Sequence, residues 1–151
     1  MKNFLAIAAL FVPLTAAIAP NDDPGQAIDL PAITIDTISN EQVLQAIISV
    51  ESEGRDDAHR VIEDAVGCLQ IRRTMVRDVN RILRRNGSDI RYSYKDRWNR
   101  QSSIEMFDIY CKHYNLTTPE EKARCWNGGP KGLQKLCTKR YWEKVKRRLN
   151  G

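Results

Sequence analysis

Histidine and cysteine are scarce in this chain, and neither is arranged to hold a metal. His59 and His113 are the only histidines in 151 residues, and no two of the four cysteines are spaced C-x-x-C. A zinc site draws three or four such ligands together, commonly at short spacings; no metal is expected here, and no cofactor. Aromatic residues make up only 7% of the sequence. Long apolar runs are missing as well, and a mean hydropathy of −0.51 excludes a polytopic membrane protein. No stretch alternates apolar and polar residues in the manner of a strand, which leaves helices to build the fold. The remainder is ordinary for one globular domain: 42% of residues are apolar and 28% charged, too apolar for wholesale disorder.

The one apolar run stands at the start. Met1-Lys2-Asn3 is followed by sixteen uncharged residues, Phe4 to Ala19, closed by the small residues Thr15, Ala16, Ala17 and Ala19. A spanning helix needs about 20 apolar residues, whereas a basic start, a short apolar stretch and a small-residue end describe a secretory signal peptide. Residues 1–19 are read that way. Cleavage fits before Ile18, or after Ala19 with Pro20 next to the cut; a retained membrane anchor is the alternative. The expectation is export to the periplasm, cell envelope or extracellular space, with no stable membrane span after processing. In an exported protein Cys68, Cys111, Cys125 and Cys137 allow two disulfides in three connectivities. The apolar flanks of Cys68, Cys111 and Cys125 suit buried free thiols equally well, and both readings stay open.

Basic residues are absent from the next segment. Pro20 to Gly54 holds seven acids and no Lys or Arg, and residues 20–38 read as an acidic linker. From Arg55 onward 23 basic residues face 12 acidic ones, a net of +11. Such a body favours anionic polymers, or merely carries a solvated surface. A non-catalytic cationic wall-binding protein is one reading. Nucleic-acid binding, with Tyr92, Tyr94 and Trp98 as stacking groups, is another, and export argues against it.

The domain begins at residue 39 and extends to 151. Ser39 and Gln42 form a capping box ahead of Val43, Leu44, Ile47 and Ile48, a helix predicted to end near Gly54. A second helix is predicted over 74–85, stopped by Asn86-Gly87. Ser102 with Glu105 reads as the cap of a third. Thr118-Pro119-Glu120-Glu121 starts a fourth, which breaks at Asn127-Gly128-Gly129-Pro130. A basic helix from about Thr138 turns Tyr141, Trp142, Val145 and Leu149 inward. The fold class is mainly α, with five or six helices.

Glu51 stands out on the first helix. It lies seven residues after Leu44, four after Ile47 and three after Ile48, so it shares their apolar face; Glu53 is turned about 200° away. A carboxyl on an apolar face resists ionisation, and the negative end of the helix dipole adds to the effect. An acid that keeps its proton near neutral pH is what protonation of a glycosidic oxygen requires.

Four stretches extend this reading: Val50-Glu51-Ser52, then Gly67-Cys68-Leu69-Gln70, then Ala123-Arg124-Cys125-Trp126-Asn127-Gly128-Gly129, then Tyr141-Trp142. In this order and spacing they resemble the soluble lytic transglycosylase and goose-type lysozyme family over roughly residues 40–148. The resemblance implies a lysozyme-like fold around a glycan-binding cleft, and cleavage of the β-1,4 bond between N-acetylmuramic acid and N-acetylglucosamine in peptidoglycan glycan strands. It implies Glu51 as the catalytic acid, and Ser52, Gln70, Asn127 and Tyr141 as the residues that hold it or meet the sugars. The chain departs from the family pattern in carrying Glu53 where Gly is common, and Trp126 where Tyr is frequent. For a single-Glu member the resemblance implies a lytic transglycosylase that forms 1,6-anhydromuramic ends, and this is the activity expected here; a hydrolytic muramidase is the alternative. A hydrolytic muramidase needs a second carboxylate, for which Asp56, Asp57, Glu63 and Asp64 are candidates. The expected partner is peptidoglycan and not nucleic acid, with the enzyme acting as a monomer.

Overall fold

A computed structural model describes residues 38–151; the expected signal peptide, residues 1–19, and most of the expected linker, residues 20–38, lie outside the described residues. Five helices and one small hairpin make a mainly α architecture: α1 (Asn40–Ser52), β1 (His59–Arg60), β2 (Ala65–Val66), α2 (Arg73–Arg85), α3 (Arg100–His113), α4 (Pro119–Gly128) and α5 (Cys137–Leu149). None of the described helices is long and apolar enough to cross a membrane.

Helix α1 starts where its capping box lies, with the Ser39 hydroxyl accepting from Gln42 N–H and the Gln42 side chain accepting from Ser39 N–H. Val43, Leu44, Ile47 and Ile48 are buried along one face. Thr118 and Glu121 form the same reciprocal cap on α4, with Pro119 in its first turn. Helix α3 corrects the sequence reading. Its cap is Asn99, whose side chain accepts from Ser102 N–H, so Ser102 lies inside the first turn. Asn caps as well as Ser, and Glu105, three residues after Ser102, instead accepts from the Tyr92 hydroxyl at 2.9 Å.

Helix α1 packs on α4 and α5, α4 on α5, and α2 on α3. One apolar core joins them through Ile47, Leu69, Val79, Met106, Ala123 and Val145. Each fully buried branched side chain contributes about 1.5–3 kcal/mol. Cys68, Cys111 and Cys125 belong to this core as free thiols, and Cys137 is free and exposed. Burial pushes the Cys111 thiol up to about 12, so it stays protonated.

The hairpin is the one strand feature among the described residues. Strands β1 and β2 run antiparallel, His59 opposite Val66 and Arg60 opposite Ala65, joined by a 3-10 turn over Val61–Glu63. Two residues per strand are too few to show alternation in the sequence. Hydrogen bonds fasten the hairpin from behind. The buried Arg97 donates to the carbonyls of Asp64 at 2.7 Å, Ile71 at 3.1 Å and Tyr94 at 2.9 Å. Gly67, at φ +77°, sits so close to this arginine that a Cβ would strike the Arg97 carbonyl oxygen. Tyr94 lies under Arg73, with 5.0 Å from guanidinium to ring centre, and Trp98 meets His59 edge-on at 5.5 Å.

Candidate active site

Helix α1 carries Glu51 in its last turn and then ends, because Glu53 turns left-handed at φ +57° and returns its N–H to the Ser49 carbonyl. The Glu51 side chain is 8% exposed, on the inward face that its spacing from Ile47 and Ile48 predicts. Glu53 is exposed and borders a separate depression with Lys144, Arg147 and Arg148. The two acids of the Glu-Ser-Glu stretch therefore serve different surfaces.

Glu51 opens into a cleft of about 560 Å³, within the range of small-ligand and substrate pockets. One side is built by the hairpin and the segment leading from it into α2: Arg60, Glu63, Gln70 and Arg72. The end of α4 and the connection to α5 contribute Trp126, Asn127, Gly129 and Lys135. Met75 and Asp78 of α2 also line it.

The carboxyl is held at both oxygens. The Tyr141 hydroxyl, buried on α5, donates to Oε1 at 2.8 Å. Arg60 lies on the other side, with Nη1 3.5 Å from Oε2 and Nη2 donating to the Glu51 carbonyl at 3.1 Å. Burial pushes the Glu51 carboxyl above the ordinary carboxylate range. The Tyr141 bond and the charges of Arg60 and Arg72 pull it part of the way back, and Glu63 adds to the push. Burial and the neighbouring Glu51 raise the Tyr141 hydroxyl well above its ordinary value, so it remains a donor.

The other residues singled out in the sequence fall around this carboxyl in distinct ways. Ser52 is buried, and its hydroxyl donates to the Cys68 carbonyl at 2.8 Å, with the Ile48 carbonyl at 3.2 Å. It fastens the end of α1 to the Gly67–Gln70 segment. Gln70 is buried on the cleft wall in a left-handed conformation, φ +48°. Its Nε2 donates to the carbonyls of Ala58 at 3.0 Å and Gly67 at 2.9 Å, leaving Oε1 without a partner. A buried acceptor without a donor is costly, and this one lies beneath the cleft surface that Gln70 helps to line. Asn127 is exposed and lines the cleft, just before the α4 helix ends. Tyr141 reaches the site through Glu51.

The candidate second carboxylates separate cleanly. Glu63 lines the cleft, ion-paired with Arg72. Asp56 pairs with Arg100 at 2.9 Å, and Asp64 pairs with Arg73 at 2.6 Å. Neither lines the cleft, and nor does Asp57. Asp78, not singled out in the sequence, does line it, but it is engaged by Arg81 and by the Tyr114 hydroxyl at 3.0 Å. Arg60, Arg72, Asp78 and Lys135 are among the cleft residues to which sequence reasoning gave no role, and Trp126 was noted there only as a departure from the family pattern. Trp126 carried a faint signal, since it directly precedes Asn127; it donates from Nε1 to the Leu69 carbonyl at 3.3 Å and so ties one wall to the other. No cluster of three or more metal-ligating side chains occurs among the described residues.

Neither a scan against family models nor a search of curated proteins returns a match to this chain.

Proposed function

We propose that this chain is a peptidoglycan-cleaving glycosidase with a lysozyme-like fold, exported to act on cell-wall glycan strands as a lytic transglycosylase. The observation that carries the reading is Glu51: a carboxyl 8% exposed, bonded to Tyr141, opening into a cleft that Gln70 and Asn127 also line. The ordered motifs around Glu51, Gln70, Asn127 and Tyr141 support the same reading.

The chemistry needs only one acid. Glu51, whose carboxyl burial raises above the ordinary carboxylate range, gives its proton to the glycosidic oxygen between muramic acid and glucosamine as the C–O bond breaks and its electron pair passes to that oxygen. The resulting carboxylate then takes the proton of the muramic 6-hydroxyl, whose oxygen bonds to the anomeric carbon and closes the 1,6-anhydro ring. Water is not consumed. Tyr141 holds Oε1 throughout, and the exposed Asn127 amide offers both a donor and an acceptor to sugar hydroxyls or an acetamido group. Each other carboxylate lining the cleft is engaged by an arginine, Glu63 by Arg72 and Asp78 by Arg81, which favours the single-acid route over activation of water.

A second reading, a hydrolytic muramidase, is favoured by one observation: Glu63 lines the same cleft and acts on the Glu51 carboxyl through its charge. Substitution tests the shared part of both readings. Glu51→Gln, which keeps shape and removes the proton, is expected to lower cleavage of purified peptidoglycan by about 10²–10⁴-fold, while Glu53→Gln keeps most of it. The reverse pattern overturns the assignment of the acid.

A further inference from the structure

The two oxygens of Glu51 are held unequally. Oε1 receives a 2.8 Å hydrogen bond from a buried tyrosine, whereas Oε2 faces a guanidinium nitrogen at 3.5 Å, beyond good hydrogen-bond length. The Arg60 side chain is 49% exposed against 8% for Glu51, and its shorter contact is to the Glu51 backbone carbonyl at 3.1 Å. That carbonyl belongs to the last turn of α1, where a cation is favoured by the unpaired carbonyls and the helix dipole. The arginine is thus anchored to the helix end and only loosely to the carboxyl.

A general acid must carry its proton on an oxygen that faces the leaving group. With Oε1 turned into Tyr141, that oxygen is Oε2. A guanidinium has five donors and no acceptor. A proton on Oε2 therefore finds no acceptor in the guanidinium, so Arg60 in its present position favours the carboxylate and works against the acid form of Glu51. The other charged groups acting on this carboxyl are Arg72, at the approach to α2, and Glu63, on the hairpin turn. They are paired with one another, so their effects oppose. Arg60 is the one cation in contact with the carboxyl among the described residues, and with its own side chain half exposed and its guanidinium 3.5 Å from Oε2 it can exchange this contact for water.

We propose that Arg60 is a displaceable positioning residue for Glu51: it covers Oε2 while the cleft is empty and swings off, pivoting on the Glu51 carbonyl, when a sugar enters. The carboxylate then takes a proton from solvent and is armed only in the occupied cleft. The inference rests on the glycosidase reading for its purpose, and on the contacts of Oε1 and Oε2 for its geometry.

The test is a ¹³C NMR titration of the Glu51 side-chain carboxyl in the parent protein and in Arg60→Gln, each free and saturated with an N-acetylglucosamine trisaccharide. Matching amide spectra check that the variant is folded. In the free proteins the Glu51 midpoint is expected to be higher in Arg60→Gln by about one pH unit, the low end for an opposite charge this near. With trisaccharide bound the two midpoints are expected to coincide, because the arginine has already left. A free midpoint in Arg60→Gln equal to or below the parent's overturns the proposal, and so does a difference that persists undiminished in the complex. A trisaccharide that shifts no resonance in either protein overturns the glycan reading instead, while the free midpoints still report whether Arg60 governs the carboxyl.

Discussion

Ile47 and Arg60 lie on two sides of Glu51 and are held by different forces. Ile47, wholly buried on α1, is fixed by apolar packing against a core shared with α4 and α5. Arg60, on a strand of two residues, is half exposed and touches Glu51 through two polar contacts. The hairpin that carries it is exposed along β1 and buried along β2, at Ala65 and Val66, and donors fasten it as well: Arg97 to the Asp64 and Ile71 carbonyls, Gln70 to the Ala58 carbonyl. The helical side can therefore keep the acid in place while the hairpin side adjusts around it. Close packing resists small displacements, whereas exposed polar contacts exchange with water at little net cost.

Two substitutions of similar energy should separate these walls. Ile47→Ala removes core volume and is expected to cost about 3 kcal/mol of global stability, with cleavage per folded molecule nearly unchanged below the melting transition. Gly67→Ala puts a Cβ against the Arg97 carbonyl at a positive φ, and is also expected to cost about 3 kcal/mol. Its effect on cleavage should be far larger, at least tenfold per folded molecule, because the strain displaces the segment that holds Arg60 and Gln70. Chemical denaturation paired with peptidoglycan turnover checks both. Equal activity losses in the two variants would mean that the walls move as one body.

Tyr141→Phe sharpens the comparison at the carboxyl itself. The substitution removes the bond that favours the charged form, so the Glu51 carboxyl rises further and the alkaline limb of the activity profile moves to higher pH. Stability shifts in a defined direction. The folded carboxyl already titrates above its ordinary value of 4.5, so the folded state holds the proton more tightly than the unfolded chain. Its contribution is fully present below that ordinary value and is lost as pH rises through the folded one. Tyr141→Phe is expected to cost about 1–2 kcal/mol at pH 7 and less at pH 4, where both states are largely protonated. Thermal melts at the two pH values measure the difference, and an equal cost at both would show that the hydroxyl does not act on the charged form.

The smallest effect is expected where α1 ends. Glu53 occupies a left-handed position at φ +57°, which penalises a side chain by about 1–2 kcal/mol, against a backbone-entropy cost of about 0.5–1 kcal/mol for Gly. Glu53→Gly is expected to stabilise the protein by about 0.5 kcal/mol or slightly more and to leave cleavage unchanged. A destabilised variant would show that the side chain contributes through Lys144, Arg147 or Arg148 nearby.

The same contrast governs what the sequence made legible. The helices declared themselves through apolar spacing and reciprocal caps at Ser39 and Thr118, and Glu51 could be placed because it shares a period with Ile47 and Ile48. The α3 cap was misread because Ser102 and Glu105 reproduce the capping spacing one turn inside the helix, while Asn99 does the capping. The hairpin gave no periodic signal, its strands being two residues long. Arg60 could not be paired with Glu51 from spacing, since their contact depends on how the chain reverses between Gly54 and Ala58. Gly67 was visible only as a motif residue; the reason for it, the approach of the Arg97 backbone, is tertiary.

Mass analysis of the fragments released from purified peptidoglycan tests most directly whether one carboxyl performs the chemistry. The expected products end in 1,6-anhydromuramic acid, lighter by one water than hydrolysed muropeptides and resistant to borohydride because they lack a free reducing end. Glu63→Gln should release the same fragments. Exclusively reducible muramic ends, lost on Glu63→Gln, would contradict single-acid catalysis and assign the second carboxylate to the hairpin.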